Sequence, residues 1–170
     1  MRVILLRHGP AGRRDASRWP DDRARPLTVG GEERTRLAVR GLARMVDSVE
    51  RVLTSPLTRA SQTARMVVEV LDAREFETIE ALGPGGAARD VLAALRRSKA
   101  EDSVVLVGHE PDLGELAGSL LSRTSLALPL KKAGACAILF ESAPGAGTGE
   151  LEWLLPPRAL RRLAGKKATT

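Results

Sequence analysis

Hydrophobic and polar positions along this chain switch repeatedly between two patterns. Val3-Ile4-Leu5-Leu6 and Val104-Val105-Leu106-Val107 are short, unbroken apolar runs rich in β-branched residues. Such runs suit strands covered on both faces, as in a parallel sheet. The first strand is expected over residues 2–6. Arg51–Thr54 and Phe76–Ile79 read as two more strands. Between them the apolar positions follow a helical period. Ala38, Leu42, Met45, Val46 and Val49 share one face of a helix expected from about Val29 to Asp47. Ser55-Pro56 has the form of a helix start, with Ser as N-cap and Pro in the first turn. Ala60, Ala64, Val67, Val68 and Leu71 form the buried stripe of that helix. Ala88, Val91, Leu92 and Leu95 mark a third helix, after the breaker Leu82-Gly83-Pro84-Gly85-Gly86. A fourth opens at Pro111 and turns Leu113, Leu116, Ala117, Leu120 and Leu121 inward. Ala135–Glu141 and Leu151–Leu155 read as an antiparallel hairpin joined by the turn Ala143–Gly149. A short helix from about Arg158 to Leu163 closes the chain.

Strands alternating with helices predict an α/β fold with helices on both sheet faces. The expected architecture is a three-layer α/β/α sandwich. Its sheet is mixed but mostly parallel, with the C-terminal hairpin at one edge. No internal repeat or linker interrupts the pattern, so a single domain is expected over residues 1–165. A short basic tail, 166–170, follows. The irregular feature is the segment from Gly9 to Leu27, since long loops in compact domains are usually functional.

Composition narrows the chemistry. A chain of 170 residues, 43% hydrophobic and 28% charged, can bury a real core unaided. Its single cysteine, Cys136, permits no intrachain disulfide and sits in an apolar run that suggests a core thiol. One Cys and two distant His give no structural zinc set, so no metal or other cofactor is expected. No stretch approaches transmembrane length and the N-terminus opens on a strand, so the expected location is the cytoplasm, without membrane contact. The net charge of +6 is carried mostly by arginine. These basic residues are interleaved with acids, and the chain has no Tyr, two Phe and two Trp. Stacking platforms are therefore scarce and nucleic acid is a disfavoured partner.

Chemistry concentrates at the carboxyl ends of the expected strands, where ligands bind in open α/β sheets. The only two histidines both lie there: His8 in Arg7-His8-Gly9 and His109 in Gly108-His109-Glu110. Arg59 falls in the first turn of the helix after the second strand. If these strands are neighbours, two arginines and two histidines converge. Two guanidiniums beside helix N-termini suit a phosphoryl group, which guanidinium binds bidentately.

Arg7-His8-Gly9 directly after the first strand resembles the signature of the histidine phosphatase superfamily, the phosphoglycerate mutase-like fold. Ser55-Pro56-Leu57-Thr58-Arg59-Ala60-Ser61-Gln62-Thr63-Ala64 and Val107-Gly108-His109-Glu110-Pro111-Asp112-Leu113 resemble a narrower branch, the SixA-type phosphohistidine phosphatases. Arg25-Pro26-Leu27-Thr28 with Gly30, and Lys131-Lys132-Ala133-Gly134-Ala135, also fit, so the resemblance spans nearly the whole chain. It implies that His8 is the nucleophile of a two-step reaction through a phosphohistidine enzyme. Arg7, Arg59 and His109 would hold the phosphoryl oxygens, with Gly9 and Glu110 also at the substrate, and no metal is required. His8 must be neutral to attack, and the nearby guanidiniums favour that form. His109 would serve best as a cation or N–H donor, so opposite protonation tendencies are expected for the two rings.

Many members of the superfamily carry an acid near the third-strand end to protonate an alcohol leaving group. Here that region reads Glu80-Ala81-Leu82-Gly83-Pro84, and Glu80, Glu110 and Asp112 are the candidates. Glu110 and Asp112 also have a plain role, as acids near a helix start. The SixA-like branch lacks the usual acid, which fits a phosphoramidate whose imidazole is protonated on its own ring. Protein phosphohistidine is thus the expected substrate, on a histidine phosphotransfer domain or a phosphocarrier protein. The Gly9–Leu27 segment, with Arg13, Arg14, Arg18, Arg23, Arg25 and Trp19, either receives that partner or is a solvated loop with Trp19 over the core. Competing readings are a phosphatase of small phosphorylated metabolites in the same fold and a non-enzymatic phospho-ligand binding protein.

Overall fold

The computed structural model describes residues 1–165; the expected basic tail, 166–170, lies outside them. The strands are β1 (Arg2–Arg7), β2 (Arg51–Thr54), β3 (Phe76–Thr78), β4 (Ser103–Gly108), β5 (Ala135–Leu139) and β6 (Glu150–Leu155). The helices are α1 (Val29–Leu42), α2 (Thr58–Leu71), α3 (Ala88–Leu95), α4 (Asp112–Leu121) and α5 (Pro157–Ala164). Six strands form one sheet in the order β3-β2-β4-β1-β5-β6. β3, β2, β4 and β1 run parallel, while β5 is antiparallel to both β1 and β6. The mixed sheet and its C-terminal hairpin are therefore as the sequence predicts.

Two cores lie on opposite faces of this sheet. Ile4, Leu6, Val105 and Val107 pack with α1, α2 and Leu160 of α5. Val3, Leu5, Val104 and Leu106 pack with α3 and α4. Successive strand residues point to opposite faces, and both faces are apolar because both are covered. This arrangement is the α/β/α sandwich.

The chain leaves β1 into α1 on one face and leaves β4 into α4 on the other. The adjacent strands β1 and β4 thus diverge at their carboxyl ends, a topological switch point of the kind where ligands bind.

Helix boundaries differ from the sequence pattern in two places. α1 stops at Leu42 instead of Asp47. Arg44 N–H donates to Gly41 O and Met45 N–H to Leu42 O, closing tighter turns. Val46 and Val49 stay buried in the same core after the helix ends, so the apolar spacing of the sequence runs past the helix terminus. α2 begins at Thr58, with Leu57 as an uncapped N-cap position. Ser55 is not its N-cap, for a reason that lies in the site. No described helix is long and apolar enough to cross a membrane.

Candidate active site

His8 follows β1 directly. His8 N–H donates to Gly108 O and its carbonyl accepts from Ala133 N–H, so the backbone is held between β4 and the start of β5. Only 6% of His8 and 4% of His109 are exposed. The ring centroids stand 4.9 Å apart at an interplanar angle of 51°. His8 Nδ1 lies 2.7 Å from Gly9 O. A carbonyl can only accept, so in the neutral ring Nδ1 carries the proton and Nε2 holds the free lone pair.

Gly9 does two further things. Its N–H donates to Thr63 Oγ1 at 3.1 Å, tying the turn to α2. A Cβ there would stand 2.0 Å from Thr35 Oγ1 on α1, so this turn packs flat against that helix. The Gly9 amide is thus engaged within the protein, and its carbonyl orients the His8 ring.

Arg7 Nη1 donates to Leu130 O at 2.8 Å. Arg59, at the second position of α2 and 4% exposed, is gripped by one residue of the long loop. Its Nη1 donates to Asp22 O at 2.9 Å and its Nη2 to Asp22 Oδ2 at 3.1 Å. Asp22 also accepts from Arg25 Nε at 2.7 Å. The hydrogen bond from Arg25 holds the Asp22 carboxyl well below the usual carboxylate range, helped by Arg14 and Arg59. Among the described residues, the buried Nε atoms of Arg7 and Arg59 have no partner. An orphaned buried N–H costs about 1–3 kcal/mol, so two cationic ones in one recess mark a place for an anion.

Both histidine rings are held neutral. Burial is the largest cause at His8, followed by His109 and the two guanidiniums; together they bring its pKa down to about 3. Burial also leads at His109, with Arg59 and Arg7 next, and brings it to about 4. The expected opposition between the rings is therefore absent from the protein alone. Desolvation acts on both rings alike, and a difference has to come from a bound anion.

His109 Nε2 lies 2.8 Å from Ser55 Oγ, and either group can donate. Ser55 Oγ also accepts from Leu57 N–H at 3.2 Å, while Ser55 N–H extends the sheet by donating to Val107 O. Ser55 is thus a site residue at the carboxyl end of β2. Its resemblance to a helix cap hid that role, although the strand-end rule that selects the histidines selects it too. Asp22 carried no signal, because it lies in an aperiodic loop.

Of the candidate acids, Glu110 and Asp112 accept backbone hydrogen bonds and Glu80 lies on the surface. Glu80 pairs with Arg23 at 3.3 Å and its side chain is 76% exposed. Asp112 Oδ1 accepts from Gly85 N–H at 3.1 Å. Glu110 Oε1 accepts from Leu130 N–H at 3.0 Å, so Glu110 and Arg7 grip the same residue. Burial raises the Glu110 pKa, with the Leu130 amide and Arg7 opposing. Among the described residues, no three His, Cys, Asp or Glu side chains group to hold a metal ion.

Comparison with known proteins agrees with this arrangement. Residues 3–83 match the family model described as histidine phosphatase superfamily (branch 1). An uncharacterized protein of Picosynechococcus is 41% identical over 141 residues, which is 79% of this chain and 82% of that one. Phosphohistidine phosphatase SixA of Escherichia coli is 33% identical over 164 residues, covering 95% of this chain and 97% of that one. A solved structure of the protein histidine phosphatase SixA complexed with tungstate superposes with a TM-score of 0.80. It is 30% identical and covers 94% of this chain and 99% of that one. The two histidines at neighbouring strand ends, the paired guanidiniums and the full-length similarity agree, and the chain belongs to the SixA-type branch of the histidine phosphatase superfamily.

Proposed function

We propose that this chain hydrolyses protein phosphohistidine through a covalent intermediate on His8. The observation that carries this reading is the fixed His8 ring: Nδ1–H is bound to Gly9 O and Nε2 is free, beside two orphaned guanidinium Nε atoms. The Nε2 lone pair attacks phosphorus while the P–N bond to the substrate imidazole breaks. The substrate ring first takes a proton from solvent on its other nitrogen, as an exposed imidazole does near neutral pH, and so leaves as neutral imidazole. Water then attacks the phosphorus of phospho-His8, releasing phosphate and restoring the ring. Arg7, Arg59 and His109 receive the oxygens that gain charge in each step, so positive charge comes from the protein's own side chains. Tungstate is a tetrahedral oxyanion, and its presence in the SixA relative supports an anion site in this branch.

Glu110 and Asp112 are held by backbone amides and Glu80 lies on the surface beside Arg23, which favours a leaving group protonated on its own ring. A phosphohistidine meets that condition and an alkyl phosphate does not. A phosphorylated histidine phosphotransfer domain or phosphocarrier protein is the fitting partner. The reading is tested by offering a phosphohistidine protein and an alkyl phosphate monoester to wild type and to His8→Ala. Wild type should prefer the phosphoramidate, and His8→Ala should lose about a thousandfold or more in kcat/KM. Faster hydrolysis of the monoester, or full turnover by His8→Ala, would overturn it.

A further inference from the structure

The loop between β1 and α1 also borders an open groove that the chemistry does not use. It has a volume of about 520 Å³ and is lined chiefly by Gly12, Arg13, Arg18, Trp19, Pro26 and Val29. Val29, the first residue of α1, is 80% exposed. Trp19 is half-buried, with the Arg18 guanidinium 5.5 Å from its ring centroid. The apolar patch therefore sits between basic side chains.

The charges of this loop are unevenly matched. Arg14 and Arg25 are paired with Asp22, and Arg23 with Glu80. Among the described residues, Arg13 and Arg18 form no such pair. Asp15, the acid at the groove, is occupied by Ser17 N–H, Ser17 Oγ–H and Arg18 N–H. The groove thus presents two arginines against the single carboxylate of Asp15 around an apolar centre, a net positive rim complementary to an acidic surface with an apolar middle.

Its wall is joined to the site by hydrogen bonds. Arg25 Nη1 donates to Gly12 O at 2.6 Å while Arg25 Nε holds Asp22, which in turn grips Arg59. A partner seated in the groove therefore lies on the same hydrogen-bonded loop that holds Arg59, the phosphoryl-binding arginine proposed above.

We propose that this groove docks an acidic, apolar-centred face of the protein that delivers the phosphohistidine, a reading that rests on the phosphatase activity proposed above. Small phosphoramidates have no such face and bypass the groove. Electrostatic steering by Arg13 and Arg18 raises the association rate, and Trp19 and Val29 supply the apolar contact.

The test uses two substrates: free N-phosphohistidine, and an acidic-surfaced histidine phosphotransfer domain phosphorylated chemically with phosphoramidate. The double variant Arg13→Glu/Arg18→Glu and the single variant Val29→Ser change exposed side chains. Each should lower kcat/KM on the phosphorylated domain by about tenfold, equivalent to about 1.4 kcal/mol, and leave kcat/KM on free phosphohistidine unchanged. The wild-type rate on the domain should also fall with salt more steeply than the rate on the small substrate. Unimpaired variants on the domain, or an equal loss on both substrates, would overturn the groove alone. So would a wild-type dimer that Val29→Ser dissociates, since the groove would then seat a second copy. Wild type inactive on both substrates would overturn the phosphatase reading and the groove with it.

Discussion

His8 and His109 sit 4.9 Å apart, and their environment keeps both rings uncharged. For His8, proposed above as the nucleophile, the burial that looks costly is useful, because only the neutral ring has a lone pair for phosphorus. For His109 the same burial withholds the cation that phosphate would favour until the phosphate arrives. The sign of the resulting pH dependence follows from linkage. Both folded pKa values, about 3 and about 4, lie below the ordinary 6.5. As pH falls below 6.5 the unfolded chain takes up protons that the folded chain does not, so stability is lost on acidification through this window. The urea midpoint should therefore fall as pH is lowered from 6.5 towards 4, more in wild type than in His109→Gln. In NMR titration of the phosphate-free protein, neither ring should show a midpoint near 6.5. Inorganic phosphate should move the His109 midpoint upward, because an anion stabilises the charged ring. A phosphate-free midpoint near 6.5 at either ring would contradict this electrostatic account.

Among the elements, the legible and the illegible have different causes. The strands were readable because β1 and β4 are buried on both faces and must be apolar throughout. Helix ends were not, because burial continues past them: Val46 and Val49 remain in the core after α1 has ended. Ser55 was misplaced for a related reason. A serine before a proline looks like a cap, but its hydroxyl is taken by His109 and Leu57. Arg7 and Arg59 lie in β1 and α2, but their partners Leu130 and Asp22 lie outside the strands and α-helices, and only the folded chain brings them together. The packing of α5 on α1 was equally hidden, and it depends on one absent side chain. A Cβ on Gly41 would lie 1.8 Å from Leu160 O. Gly41→Val should therefore push α5 away and destabilise the protein by about 1–3 kcal/mol, the usual range for overpacking. Urea unfolding measures that loss. Because α5 contributes no group to the site, kcat/KM under native conditions should be unchanged. A variant as stable as wild type would show that α5 is not packed as described.

At the scale of the whole molecule, topology turns scattered residues into one recess. β4 inserted between β1 and β2 places His109 beside His8 and brings Ser55 and Arg59 to the same edge. α1 and α4 then leave on opposite faces and open the crevice between them. The loop from β1 to α1 closes one side through Asp22, and Leu130 closes another by binding both Arg7 and Glu110. The sheet thus supplies positions and the loops set the orientation of the cations. The nucleophile proposed above for this recess is the Nε2 atom of His8. The most direct measurement is rapid quenching of a single turnover with radiolabelled phosphohistidine protein, followed by mapping of the label. The account predicts an acid-labile, alkali-stable phosphoryl group on His8, attached at Nε2, that forms and decays within the turnover. Label on another residue, attachment at Nδ1, or a complete turnover with no labelled enzyme would contradict it.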